Sequence, residues 1–260
     1  VNFTYAIYTH SEFSDILQIF YDYVKSYDFV FIADKPVENN LKKPTFVYDG
    51  NKPYAHRLLT ALSQLQSDYV LLIHDNDIPL HQDVGVLNKL VDFMSLKNID
   101  RIDLQVTLKN GGDFYKILPD QEVSNWPKLT NFQVGEGIYL NEHQHTYRYN
   151  VNPSIWKRDS FLKLLNAFPN KSYREIECYE VENFIRNYKI YNLFTYNPLQ
   201  CGFFKCADFF KFLHITHGGY LLKNSPEKVS SYGQSYIDAA KEYKEIIDKY
   251  NLKSGKRPFA

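Results

Sequence analysis

Two rhythms of apolar and polar positions alternate along the first hundred residues. Residues 3–9 (FTYAIYT), 29–33 (FVFIA), 45–48 (TFVY) and 69–73 (YVLLI) are short, nearly continuous apolar runs. Strands buried on both faces have this character. Between them the apolar positions fall at helical spacing. Phe13, Ile16, Leu17, Phe20 and Val24 share one face of a helix over 11–27, with Ser11 or Ser14 as its cap. Pro53 opens a second helix that runs to Leu65 on a stripe of Leu58, Leu59, Leu62 and Leu65. A third, 83–96, turns Val86, Leu87, Leu90 and Phe93 inward. Strands separated by single helices predict an α/β fold with a mostly parallel sheet flanked by helices.

The second half is less regular. Residues 101–108 (RIDLQVTL) alternate like a strand, and 111–141 are rich in Gly, Pro and Asn, as loops with short strands are. Residues 154–168 read as a strand running into a helix, 180–188 as a helix, and 235–250 as a Lys- and Glu-rich helix suited either to the core or to a neighbouring subunit. With no internal repeat and no linker, the 260 residues are expected to form a single domain: 1–100, 101–234, and a C-terminal helix and tail over 235–260.

Composition narrows the picture. Lys plus Arg number 30, as do Asp plus Glu, so no global field favours a polyanion and nucleic acid is not expected as a partner. Three cysteines, Cys178, Cys201 and Cys206, make no disulfide framework and fit a reducing, cytoplasmic compartment. No apolar run is long enough to span a bilayer. The richness in Tyr and Phe, 22 and 19, points to no function by itself.

In open, mostly parallel sheets, ligands bind beyond the carboxyl ends of the strands. Here those ends are Tyr8-Thr9-His10, Asp34, Asp49 and His74-Asp75-Asn76-Asp77. The last is the sharpest feature, because the greasy strand YVLLI runs directly into two carboxylates separated by one residue. Such a pair is either a solvated strand exit or a seat for a hard cation, since Mg2+ and Mn2+ prefer carboxylate, water and phosphate oxygens. Its place after the fourth strand, at the ligand-binding edge, favours the second.

The order strand, helix, strand-Asp, strand-Asp, helix, strand, D-x-D resembles the GT-A (Rossmann-like) fold of nucleotide-sugar-dependent glycosyltransferases. The segments YDGNKPYAHRLLTALSQLQSDYVLLIHDND and NVNPSIWKRDSFLKLL, the latter followed by REIE, resemble a bacterial and viral group of these enzymes, over about residues 3–180. The resemblance implies a nucleotide-sugar half over 1–100 and an irregular acceptor-side, catalytic half over 101–234. It places Tyr8, Thr9, His10 and Asp34 against the nucleoside, Asp49 and Arg57 in the donor pocket, and Asp75, Asn76 and Asp77 beside the sugar diphosphate. Asp77 is then the direct ligand of Mg2+ or Mn2+, although some relatives lack a complete D-x-D. Transfer with inversion needs a carboxylate to take the acceptor's proton. Glu177 matches the acid that ends the family's short motif, with Glu175 the second candidate; Arg174 stands where many relatives carry Trp. A late His in such folds often reaches the metal or diphosphate, which singles out His214 and His217, and His217 above all.

Bland alternatives accompany each residue. Asp49-Gly50-Asn51 is a strong turn signal, Arg57 suits a helix surface, and Glu175 and Glu177 suit a helix start. Trp156 fits the core better than a sugar platform, and the His143/His145 pair lacks a good third metal ligand. The expected partners are a nucleotide sugar and a glycan or glycolipid acceptor. One rival is a sugar-phosphate nucleotidyltransferase, which wants a Gly-rich basic loop after the first strand; YTHSEFSD carries neither Gly nor Lys. The other is a non-catalytic carbohydrate-binding protein on a transferase-like fold.

Overall fold

The computed structural model describes residues 2–24, 27–38, 42–104, 132–135, 138–142, 149–197, 202–205, 210–217, 220–221 and 236–252. In chain order the elements are β1 (Phe3–Tyr8), α1 (Ser14–Val24), β2 (Phe29–Ala33), β3 (Thr45–Val47), α2 (Tyr54–Leu62), β4 (Tyr69–His74), β5 (Asp77–Gln82), α3 (Val84–Lys97), β6 (Arg101–Asp103), β7 (Phe132–Gly135), β8 (Ile138–Glu142), β9 (Ser154–Lys157), α4 (Arg158–Ala167), α5 (Tyr179–Phe184), β10 (Ile190–Asn197), β11 (Gly202–Lys205), β12 (Phe210–His214), β13 (Thr216–His217), β14 (Tyr220–Leu221) and α6 (Tyr236–Lys249).

One large sheet has the order β3-β2-β1-β4-β9-β6-β10-β8-β7, with β11 on β10. The first four strands are mutually parallel. β9 enters antiparallel between β4 and β6, and β10 pairs parallel with β6. The strand direction of β1 is therefore kept by β6 and β10 and, across the antiparallel β8, by β7, so that seven strands run the same way.

Side chains of alternate strand positions build two cores. Tyr5, Ile7, Leu71 and Ile73 pack with α1, α3 and α6 on one face. Ala6, Val70 and Leu72 pack with α2, α4 and α5 on the other. All six residues of β4 are buried, as the unbroken apolar run requires. Of the expected α2 stripe, Leu58, Leu62 and Leu65 are buried and Leu59 packs at the margin. α3 is capped by the Asp83 carboxylate, which accepts from Val86 N at 3.0 Å, and ends at Asn98 in the left-handed region. Its inward face uses Val91 and Met94, with Phe93 only partly covered. α6 lies on its own chain's core through Tyr243, Ile246 and Ile247, and Lys249 meets Asp22 of α1 at 2.9 Å. Trp156 is a core residue, stacked on Phe161 at 4.4 Å between ring centroids.

The sequence reading assigned no element to the residues just after Asp77. The stretch after Asp77 is a strand, β5, paired antiparallel with β12 and outside the main sheet. The second half also holds a fully buried ion pair: Arg101 meets Asp103, Arg101 donates to Asn150 Oδ1 at 2.7 Å, and its guanidinium lies 4.9 Å from the Trp156 ring centroid. Burial lifts the Asp103 carboxyl to about 6, with Arg101 holding it down from a still higher value. Among the described residues no helix is long and apolar enough to cross a membrane.

Candidate functional site

The rim at the ends of β1, β2 and β3 is tied together by polar contacts. Asp34 follows β2 and accepts from both Ser11 N (2.6 Å) and Ser11 Oγ (2.8 Å), with His10 Nε2 at 3.4 Å. Partial burial pushes its carboxyl up; the two Ser11 hydrogen bonds and His10 prevail and hold it below the usual carboxylate range. Tyr48 donates to Thr9 O at 2.7 Å and stacks on Tyr8. Asp49 closes its own turn, accepting from Asn51 N at 2.9 Å. That turn lies against the rim, because a Cβ on Gly50 would stand 3.7 Å from Asp34 Cβ. Arg57 reaches over from α2 to donate to Lys52 O and Gly50 O, each at 2.6 Å, with its guanidinium above the Tyr48 ring. Tyr8, Thr9, His10, Asp34, Asp49 and Arg57 thus converge on one patch, Arg57 as a clamp on the 49–52 turn.

The exit of β4 joins the same patch. Thr9 Oγ1 donates to Asp75 Oδ2 at 2.8 Å, and Asp75 N donates to Tyr8 O at 3.0 Å. Asp75 and Asn76 form a two-residue turn, after which Asp77 opens β5 and is only 4% exposed. The carboxylate pair is therefore not strung along a solvated loop. β12 returns across it: His214 sits in register with Asp77, Nδ1 to Oδ1 3.0 Å, and Ile215 N donates to Asn76 O. Burial would make the His214 imidazole less basic, but Asp77 outweighs it and raises its pKa. Asn76 Oδ1 is buried with no hydrogen-bond partner. His217 has its backbone in β13, next to this strand; its side chain lies outside the described residues, as do His143, His145, Cys201, Cys206, Gly218 and Gly219.

Among the described residues no group of three His, Cys, Asp or Glu side chains is disposed to hold a cation by itself. Mg2+ and Mn2+ characteristically take only one or two protein carboxylates and draw their remaining oxygens from phosphates and water.

The second half carries the candidate acids Glu175 and Glu177 in the segment between α4 and α5. Glu175 closes a capping box with Ser172: Ser172 N donates to Glu175 Oε2 at 2.9 Å, and Glu175 N donates to Ser172 Oγ at 3.3 Å. Its carboxylate serves the local turn. Glu177, two residues on, is exposed and accepts from Val151 N at 3.0 Å. Glu180 pairs with Lys171, and Glu182 accepts from Tyr149 N.

Two further side chains connect the halves, and the sequence reading assigned neither. His74 is buried, and its Nε2 lies 2.7 Å from the Tyr54 hydroxyl. Burial lowers its pKa to about 4, so the imidazole is neutral near pH 7. Tyr173 sets its ring edge-on to Tyr54 (5.2 Å) and His74 (5.5 Å). Its hydroxyl lies near enough to the Asn76 side chain and to the charges of Asp77, Glu177 and Asp75 for each to shift its pKa. Burial of the hydroxyl end, reinforced by those charges, keeps the phenol protonated.

No family model matches the sequence, and no curated protein matches it. Structural likenesses are remote. S. aureus TarS 1–349 in complex with UDP-GlcNAc is 14% identical with a TM-score of 0.42, over 74% of this chain and 56% of that one, so the chain spans little more than half the length of that neighbour. CMP:2-keto-3-deoxy-manno-octonic acid synthetase complexed with CTP gives 10% and 0.43, over 74% and 89%. UDP-glucose pyrophosphorylase complexed with UDP-glucose gives 12% and 0.42, over 94% and 100%. Likenesses this distant carry no argument about activity, which is built on the rim alone.

Proposed function

We propose that the protein is a glycosyltransferase that moves a sugar from a nucleotide-diphosphate donor to a hydroxyl of a glycan or glycolipid acceptor, with inversion. The observation that carries this reading is the gathering of Asp34, the Asp49 turn, Asp75 and Asp77 on one rim, with Tyr173, four residues before the exposed Glu177, packed on His74 at the end of β4. Residues 1–100 hold the donor in this reading, and 101–234 present the acceptor.

Tyr8, Thr9, His10 and Asp34 bind the nucleoside, where Asp34 stays ionised and accepts hydrogen bonds. Asp75 and Asp77 are the groups that would hold Mg2+ or Mn2+, with Asn76 beside the diphosphate. When bound, the ion supplies positive charge against the leaving diphosphate. His214 keeps Asp77 oriented, and His217 follows in the next strand. Glu177 takes the proton of the acceptor hydroxyl as that oxygen bonds to the anomeric carbon. The bond from that carbon to the diphosphate breaks, its electron pair leaving with the nucleoside diphosphate. Glu175 braces the turn that carries Glu177.

The test is a panel of nucleotide sugars, each with and without Mn2+, read by thermal stabilisation and by release of nucleotide. Asp77→Ala is expected to lose metal-linked donor affinity. Glu177→Ala is expected to keep donor affinity and lose turnover. Normal sugar transfer by both variants overturns these roles. Release of pyrophosphate from a nucleoside triphosphate and a sugar phosphate would instead identify a nucleotidyltransferase.

A further inference from the structure

Tyr173 occupies a singular place. It is 38% exposed, one of few large rings open to solvent among the described residues. The ring makes T-shaped contacts with Tyr54 and His74, which are joined to each other by a hydrogen bond at 2.7 Å. The contact with His74, the last residue of β4, sets Tyr173 at the strand end that runs into Asp75, Asn76 and Asp77. Four positions along the chain, Glu177 is oriented by Val151 N at 3.0 Å.

In a direct displacement the anomeric carbon lies between the leaving diphosphate and the incoming acceptor oxygen. If the diphosphate sits at Asp75 and Asp77 and the acceptor hydroxyl at Glu177, a side chain spanning the two lies alongside the transferred sugar. Tyrosine suits that place: its ring offers an apolar face to sugar C–H groups, and its hydroxyl offers a hydrogen bond to sugar hydroxyls. We propose that Tyr173 is the residue that reads the transferred sugar, its open ring packing on the pyranose and its hydroxyl donating to a sugar hydroxyl. The inference rests on the glycosyl-transfer reading and deepens it: donor recognition divides between a nucleoside patch at Thr9 and Asp34 and a sugar contact at Tyr173, contributed by the opposite half of the chain.

The experiment compares two affinities in one protein. Calorimetry first finds which of UDP, GDP and CDP binds the wild type, and then measures that nucleotide alone and carrying glucose, galactose, mannose or N-acetylglucosamine. For the tightest nucleotide sugar, Tyr173→Ala is expected to weaken binding roughly tenfold and Tyr173→Phe about threefold, from loss of the ring contact and of one hydrogen bond. Both variants should bind the bare nucleotide within about twofold of wild type. Tyr179→Ala, at an 84% exposed ring on the neighbouring α5, serves as the control and should change neither affinity. Parallel loss of sugar nucleotide and bare nucleotide in Tyr173→Ala would make the residue a structural prop and overturn the inference, as would no loss at all, and in both cases the transferase reading would stand. A wild type that binds no nucleotide of the panel would remove that reading and this inference with it.

Discussion

The two halves of the sheet solve different problems with charged residues. In the parallel block β3-β2-β1-β4, carboxylates stand at the ends of strands, partly open to solvent and held by hydroxyls and backbone N–H groups: Asp34 by Ser11, Asp75 by Thr9. In the mixed block beyond β4, the central acid Asp103 is buried within its strand and neutralised by Arg101. An acid held by neutral donors keeps its charge for a ligand. An acid matched to a buried guanidinium has its charge consumed by the fold. The contrast separates the rim groups that can serve chemistry from those that serve architecture, although all are carboxylates at one edge.

The strongest way to break the comparison is to remove the buried cation. Arg101→Met should destabilise by about 3–5 kcal/mol in denaturant titrations at pH 7, since Asp103 is left charged and unpaired. The deficit should shrink at pH 5. A carboxyl whose folded pKa lies above its unfolded one binds protons preferentially in the folded state, so acidification relieves the strain. An unaltered stability would mean that this pair is not the keystone of the second half.

His74 gives the next largest effect, on the boundary between the halves. Its folded pKa, about 4, lies below the unfolded value near 6.5. The unfolded chain therefore binds the extra proton between those limits, and stability falls as pH drops from about 6.5 to about 4. His74→Gln removes that component, so the stability gap between wild type and variant should narrow by about 3 kcal/mol from pH 7 to pH 4. Parallel pH profiles for the two proteins would sink the assignment. Thr9→Val, in the first half, should cost about 1 kcal/mol of stability and weaken nucleotide binding, by freeing Asp75 from its tether. The smallest change is expected for Glu175→Gln, where the amide retains an acceptor for Ser172 N: under about 0.5 kcal/mol, with catalysis retained, while Glu177→Gln abolishes turnover.

How far the sequence disclosed this arrangement follows from the range of each interaction. β2 appears at the boundaries expected, and β1, β4 and α3 lie within a residue or two, because burial on both faces or along one stripe leaves a local period. The strand ends placed Asp34 and Asp75 on one rim for the same reason. β5 was hidden by Pro79, which argues against a strand interior. Here the proline is tolerated because, among the described residues, β5 pairs only with β12 and lies beside the register shift at Lys211 and Phe212. The partnership of Asp77 with His214 joins residues 137 positions apart and leaves no periodic trace. Tyr173 was equally silent, one of 22 tyrosines until the turn at Asn76 came to lie against it.

The return of β12 onto Asp77 also sets an order of events. During synthesis the block containing β1 to β4 leaves the ribosome long before residues 210–215 exist, so the nascent rim must wait for its last brace. A fragment ending before Phe210 would retain β1 to β4 yet leave Asp77 without His214, and the brace would arrive only once residues 210–215 had been added.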